Sequence, residues 1–400
     1  MPRLSSLVPD GGSVIREMFT YALERDDLIS FAVGEPGRTP SRPVIEAMVS
    51  ALREGRTHYT SNAGIPELCR GLCDLARSSR ALEYDPAREV IVTTGAIEAL
   101  FLAFRTIVSP GDGVLLPDPG FPNYLNQITV LGGEVQTYVL REDRGFRATA
   151  EDIEAAVRPN TRVLLLNSPS NPTGAVIPPA ELARIADVAR RHDLWVVSDE
   201  VYRRFLYGDV GFLSIAAVNE DMRDRTIVVD SFSKTNAMTG IRLGYAYGPE
   251  QVIAAMRTIQ EDVVSCVATP AQYGGVAALA DSDGLIDSMR AQYARNRDLI
   301  FAAIARMPGV ECDSIEGAFY AFPSIRGTGL DSRDFAMRLL KEAGVVVVPG
   351  YGFGPHGEGH VRLSFVGREE EVAEGLERMV CFTRKVAEES RVVEALASAD

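Results

Sequence analysis

The residues with the most chemical potential in this chain sit in a few short segments. Lys234 lies in SFSKTNAMTGIRLG, and a lysine held among polar groups loses part of its basicity and can act as a nucleophile or form a Schiff base. Most lysines are instead solvated surface charges. Arg242, eight residues on, offers the planar fork of donors that suits a phosphate, and Ser231 and Ser233 add hydroxyls to the same segment. Gly95–Ala96–Ile97 is expected at a strand-to-helix turn. There a free set of backbone N–H groups attracts an anion, although a tight turn alone also accounts for the glycine. Asp199 follows the apolar run LWVVS, where a carboxylate needs a partner, either as a helix cap or against a protonated ring nitrogen. Tyr202 follows three residues later. Asn171 in NPTG either shapes a turn or joins the same polar set. One small molecule would use every one of these groups. Pyridoxal phosphate carries a phosphate, a basic pyridine nitrogen, a phenolic oxygen and an aldehyde that condenses with lysine.

Those residues need a frame that gathers them. Short apolar runs at 90–94, 113–117, 135–140, 162–168, 194–200, 226–232 and 243–248 read as buried strands. Segments such as 97–108 and 179–192 have helical apolar spacing. The alternation predicts an α/β fold with a mostly parallel, doubly wound sheet, whose ligands sit at the carboxyl ends of the strands. From about residue 290 the pattern changes to a long helix, GAFYAFPSI, a helix near 332–343, VVVVPG and HVRLSF, which together read as a smaller α+β unit. The expected division is a large domain over 46–288 and a small domain from 1–45 and 289–400, with the N-terminus as a cap. The last segment, ESRVVEALASAD, reads as a helix with a frayed tail.

Composition narrows the classes. The chain has 400 residues and a net charge of −14 with no block of like charges, which argues against nucleic acid and anionic membranes. Five cysteines exclude a disulfide scaffold and favour a reducing cytoplasm. Neither a signal-like leader nor a membrane-length apolar run is read in it. Cys69 and Cys73, four apart on a helix, do not make a metal site alone. The loop PGYGFGPHGEGH carries His356, Glu358 and His360, but its glycines present no helix face, and no metal is expected.

The motifs SFSKTNAMTGIRLG, NSPSNPTG and SDEVY, with HYTSNAGIPEL before and HVRLSF after, make the chain resemble the class I/II aminotransferases of the aspartate aminotransferase family. These are fold-type I enzymes that use pyridoxal 5′-phosphate. The resemblance runs from about Ser13 to about Phe382. It implies that Lys234 forms the Schiff base and shuttles a proton, and that Asp199 pairs with the ring nitrogen. Asn171 and Tyr202 would bond the phenolic oxygen, and Phe121 in DPGFPNY would stack on the ring. Gly95, the backbone of Ala96 and Ile97, Ser231, Ser233 and Arg242 would hold the phosphate. Tyr59 would reach the phosphate of a neighbouring subunit, which implies a homodimer with shared sites. Arg362 would clamp the substrate carboxylate with Asn171 beside it, Gly34 would offer backbone, and Ile15 and Arg16 would cap the site.

Other positions concern the substrate. The segment GEPGRTP is one residue shorter than the family's pattern and has Gly37-Arg38 where an acidic–aromatic pair is usual. Arg38 is therefore expected to meet an acidic or extended substrate side chain. Tyr351 and Phe353 are expected to line the side-chain pocket. The implied activity is transfer of an amino group from an L-amino acid to a 2-oxo acid by a ping-pong mechanism. Elimination, cyclisation or oxidation of an amino acid on the same scaffold is the alternative. A cofactor-sensing regulator is disfavoured, because no basic helix-turn-helix extension accompanies the domain.

Overall fold

The structure, a computed structural model, describes residues 5, 7–8, 12–23, 25 and 27–397. Twelve strands occur among them. They are β1 Ile29–Ser30, β2 Val90–Thr93, β3 Gly113–Asp118, β4 Glu134–Val139, β5 Thr161–Asn167 and β6 Trp195–Asp199, then β7 Thr226–Ser231, β8 Gly244–Tyr247, β9 Tyr320–Ala321, β10 Val345–Val346, β11 Val348–Pro349 and β12 Val361–Ser364. Seven of them form one sheet in the order β2-β8-β7-β6-β5-β3-β4. All its neighbouring pairs are parallel except those of β8, which runs antiparallel to both β2 and β7.

The apolar runs become strands because both faces of the sheet are covered. Alternate residues supply the two faces. Val114, Leu116, Val163, Leu165, Val197, Ile227 and Val229 pack on one side with the helices Ala96–Ile107, Pro122–Leu131 and Glu250–Val263. Leu115, Leu164, Leu166 and Val196 pack on the other with Ala150–Ala156 and Pro179–Arg191. A separate core surrounds the short strands. Here β1 pairs with β10 in parallel, and β9, β12 and β11 form a three-stranded antiparallel sheet. The chain start is thus tied to the C-terminal third by backbone pairing, Ile29 against Val345. The helix Thr269–Ile304 is continuous through residue 288, the expected division point. Another helix runs from Glu369 to Ala397; residues 398–400 of the expected tail lie outside the described residues.

One buried ionic cluster ties the strand ends together. Arg80, the last residue of the helix Pro66–Arg80, donates to Glu200 and to Asp230, both at 2.6 Å. Arg203 reaches Asp230 at 2.9 Å, and the Tyr245 hydroxyl donates to it at 3.0 Å. Glu200 directly follows Asp199, and Asp230 directly precedes Ser231. Removing the cation would leave the buried Glu200 carboxylate without its charge partner and Asp230 with Arg203 as its remaining cation. Arg80→Ala should therefore lower unfolding stability by about 3 kcal/mol. The check is the shift of the urea unfolding midpoint; a loss below about 1 kcal/mol would contradict the role.

Candidate active site

Five segments converge on a cavity of about 510 Å³. The parallel strands deliver them, because β2, β3, β5, β6 and β7 all end at the same edge of the sheet. Asn167 and Asp199 face each other at the ends of β5 and β6. Thr93 and Ser231, at the ends of β2 and β7, both stand opposite Gly244 of β8. A Cβ at Gly244 would come within 2.4 Å of the Gly95 carbonyl carbon, so only glycine lets β8 pass this close to the Gly95–Ala96 turn. Gly95 itself has φ +79° and caps the helix Ala96–Ile107. A Cβ on it would stand 2.4 Å from the Arg242 guanidinium. Arg242 donates to the Thr239 carbonyl at 2.7 Å, and Ser231 and Ser233 line the cavity beside it. Free N–H groups at a helix start, two hydroxyls and a guanidinium together form a donor set of the kind that suits a phosphate.

Lys234 also lies on the cavity wall, and its Nζ donates to the Gly34 carbonyl at 2.5 Å. Burial pushes its pKa down to about 8, and the positive charges of Arg362 and Arg242 push the same way, against Glu35 and Asp199. Burial pushes the Asp199 carboxyl up to about 6. The Tyr124 hydroxyl, donating at 2.7 Å, and the Val201 N–H oppose that rise. The folded value exceeds the ordinary one, and a cationic partner beside this carboxylate would hold it ionised. Phe121 lines the cavity and meets Tyr124 edge-on, with ring centroids 5.5 Å apart.

Arg362 is 2% exposed. It donates to the Asn171 side-chain oxygen at 3.1 Å and to the Ala32 carbonyl, while its Nε is buried without a partner. Its guanidinium lies 4.6 Å from the Tyr320 ring centroid and 5.0 Å from that of Phe353. A buried guanidinium with an unmade hydrogen bond and no carboxylate partner among the described residues has donor capacity left for an anion. Ile15, Arg16, Gly34, Ala96, Ile97, Asn171 and Tyr202 share the cavity wall.

Five expected residues are not on that wall: Gly95 stands against Arg242, Phe353 packs on Arg362, and Arg38, Tyr351 and Tyr59 make up the rest. Arg38 is exposed and donates to Gln292 at 3.0 Å. Tyr351 is half-buried in the turn Gly350–Phe353. Tyr59 is 88% exposed and borders a separate surface hollow with Asn62 and Glu261. In the glycine-rich loop, His356 pairs with Asp118 at 2.7 Å, Glu358 takes the Ser332 N–H and hydroxyl, and His360 stacks on Phe322 and faces Glu142. The sequence reading missed Tyr124 and Tyr320. Tyr124 stands three residues after Phe121 in the same motif, a spacing that puts both near the start of one helix; Tyr320 carries no comparable local signal.

The chain matches the family model for aminotransferase class I and II over residues 26–379. It belongs to that family. The enzyme is 39% identical to an aspartate aminotransferase of Pyrococcus abyssi, over 92% of this chain and 94% of that one. It is 38% identical to aromatic-amino-acid aminotransferase 2 of Thermococcus litoralis, over 95% and 97%. The crystal structure of the Thermus thermophilus aspartate aminotransferase with maleate superposes on this aminotransferase with a TM-score of 0.89. It shares 35% identity and covers 95% of this chain and 99% of its own.

Proposed function

We propose that this aminotransferase works with pyridoxal 5′-phosphate and moves the amino group of an L-amino acid to a 2-oxo acid in two half-reactions at the cavity described above. When bound, that cofactor supplies an aldehyde that condenses with amines and a protonated ring that withdraws electrons from the substrate's Cα. The observation that carries the reading is Lys234, an amine of lowered basicity held in one cavity with a buried carboxylate, Asp199, and an incompletely paired arginine, Arg362.

The chain's own residues divide the work. Gly95, Ala96, Ile97, Ser231, Ser233 and Arg242 would hold the phosphate. Asp199 would hold a proton on the ring nitrogen, with Tyr124 fixing its carboxylate. Asn171 and Tyr202 would face the phenolic oxygen, and Phe121 would cover the ring. Arg362 would take the substrate carboxylate and so fix Cα within reach of the Lys234 amine. That amine then moves the proton at Cα. Ile15, Arg16 and Gly34 would close the cavity over the substrate.

Lys234 must be unprotonated to react with an aldehyde. The rate at which cofactor-free enzyme takes up pyridoxal phosphate should rise with pH and level off above about 8. A rate independent of pH between 6 and 10 would contradict that assignment.

We also propose two working units, residues 46–288 and residues 1–45 with 289–400. The large sheet lies within 90–247, and the small sheets draw on 29–30 and 320–364. A homodimer in a reducing, cytoplasmic setting completes the proposal. Tyr59 projects from the surface outside its own cavity, all five cysteines are free, and no described helix is long and apolar enough to cross a membrane.

The reading is tested by adding single amino acids to the purified, cofactor-loaded enzyme. With no acceptor present, the absorption band of the bound cofactor should bleach as one equivalent of 2-oxo acid forms. Release of ammonia, or continued turnover without an acceptor, would overturn it.

A further inference from the structure

Tyr320 touches both ends of the cavity. It is 2% exposed and sits on β9, far in sequence from the other site residues. Its hydroxyl lies 2.9 Å from the Tyr202 hydroxyl. The Arg362 guanidinium lies 4.6 Å from its ring centroid. Its hydroxyl also crowds Gly34, where a Cβ would stand 1.9 Å away, and the Gly34 carbonyl is the acceptor of the Lys234 amine. One side chain thus contacts the arginine that would take the substrate carboxylate, the tyrosine that would face the cofactor, and the glycine that holds the lysine.

We propose that Tyr320 is a positioning residue that couples a carboxylate on Arg362 to the hydrogen-bonding strength of the Tyr202 hydroxyl. The inference rests on the reading of Tyr202 as the partner of the cofactor's phenolic oxygen. In the pair of hydroxyls either can donate. The positive charge of Arg362 against the Tyr320 ring favours Tyr320 as the donor. Tyr202 then accepts from Tyr320 and gives its own proton outward, and a hydroxyl that accepts a bond is a stronger donor. A carboxylate arriving at Arg362 offsets that charge, so Tyr320 becomes a weaker donor and the outgoing Tyr202 bond weakens with it. Arg362 and Asp199 are the charged groups acting on both phenols. Lys234 lies 5.9 Å from the Tyr202 ring centroid, and Glu35 and Arg242 act on Lys234. Tyr320→Phe removes none of these groups and keeps the ring beside Arg362.

The test is a spectrophotometric pH titration of the bound cofactor in the wild type, Tyr202→Phe, Tyr320→Phe and the double variant, each with and without maleate as an unreactive carboxylate. A hydrogen bond to the phenolic oxygen favours its anionic form, so weakening the bond raises the midpoint. Tyr202→Phe should raise it, Tyr320→Phe should raise it by about half a unit, and the double variant should match Tyr202→Phe alone. The shift that maleate causes in the wild type should shrink in Tyr320→Phe. The coupling is overturned if Tyr320→Phe leaves both the midpoint and the maleate shift unchanged while Tyr202→Phe moves the midpoint. Fully additive effects in the double variant overturn it too. If Tyr202→Phe moves nothing, the reading of Tyr202 fails and the coupling fails with it.

Discussion

Lys234→Ala should lower the transamination rate by roughly 10⁴-fold while the protein stays folded and still binds pyridoxal phosphate without a covalent bond. Two separate tasks fall on the same amine. On the proposed reading it condenses with an aldehyde and carries a proton to and from the substrate's Cα. Positioned proton transfer alone is worth about 10²–10⁴-fold. Among the residues lining the cavity it is the sole lysine, so no neighbouring amine replaces it. The proposed phosphate site is built from other residues, so binding should survive. The fold should survive as well. Burial holds the folded pKa of Lys234 at about 8, below its ordinary value of 10.5. Its charge therefore costs the cofactor-free protein stability below about pH 8, and that cost disappears by about pH 10.5. Removing the lysine cannot cost stability through that term. Steady-state rates and equilibrium dialysis with the cofactor check both halves. A variant within about tenfold of the wild-type rate would refute the assignment.

Asp199→Ala should cost about 10³–10⁴-fold in the rate of the first half-reaction. The carboxylate is 4% exposed, and its two bonds, from the Tyr124 hydroxyl and the Val201 N–H, point it in one direction. Its desolvation is already met by the fold, so it stabilises a ring proton with little reorganisation. Without it the ring loses its proton and much of its pull on electrons at Cα. Single-turnover bleaching of the cofactor band by an amino acid isolates this step from product release. Asp199→Asn serves as the control for shape, and it should be as slow as the alanine variant. A near-normal rate in either would mean that the ring does not depend on this charge.

Much of the frame was legible from local pattern. The seven long strands lie where their apolar runs predicted: six are buried along nearly their whole length and need apolar residues on both faces, while β4, at the sheet edge, mixes exposed and buried positions. The motifs around Lys234, Asp199 and Asn171 were legible for a related reason: each occupies a strand end or the turn just after it. The antiparallel direction of β8 was not legible, since LGYAYG reads the same either way. The two-residue strands β1, β9, β10 and β11 are too short to show periodicity. Tyr320 and the Arg80 cluster depend on contacts across more than a hundred residues, such as Arg80 with Glu200 and Tyr202 with Tyr320. A motif search does not see such pairs. The placement of Arg38 also turns on a distant residue, Gln292.

The most direct measurement is reduction of the cofactor-loaded enzyme with borohydride, followed by peptide mapping. The account predicts that the reduced cofactor is found on the peptide carrying Lys234 and that Lys234→Ala abolishes the label. Label on another lysine, or none in a protein that retains its cofactor, would contradict it.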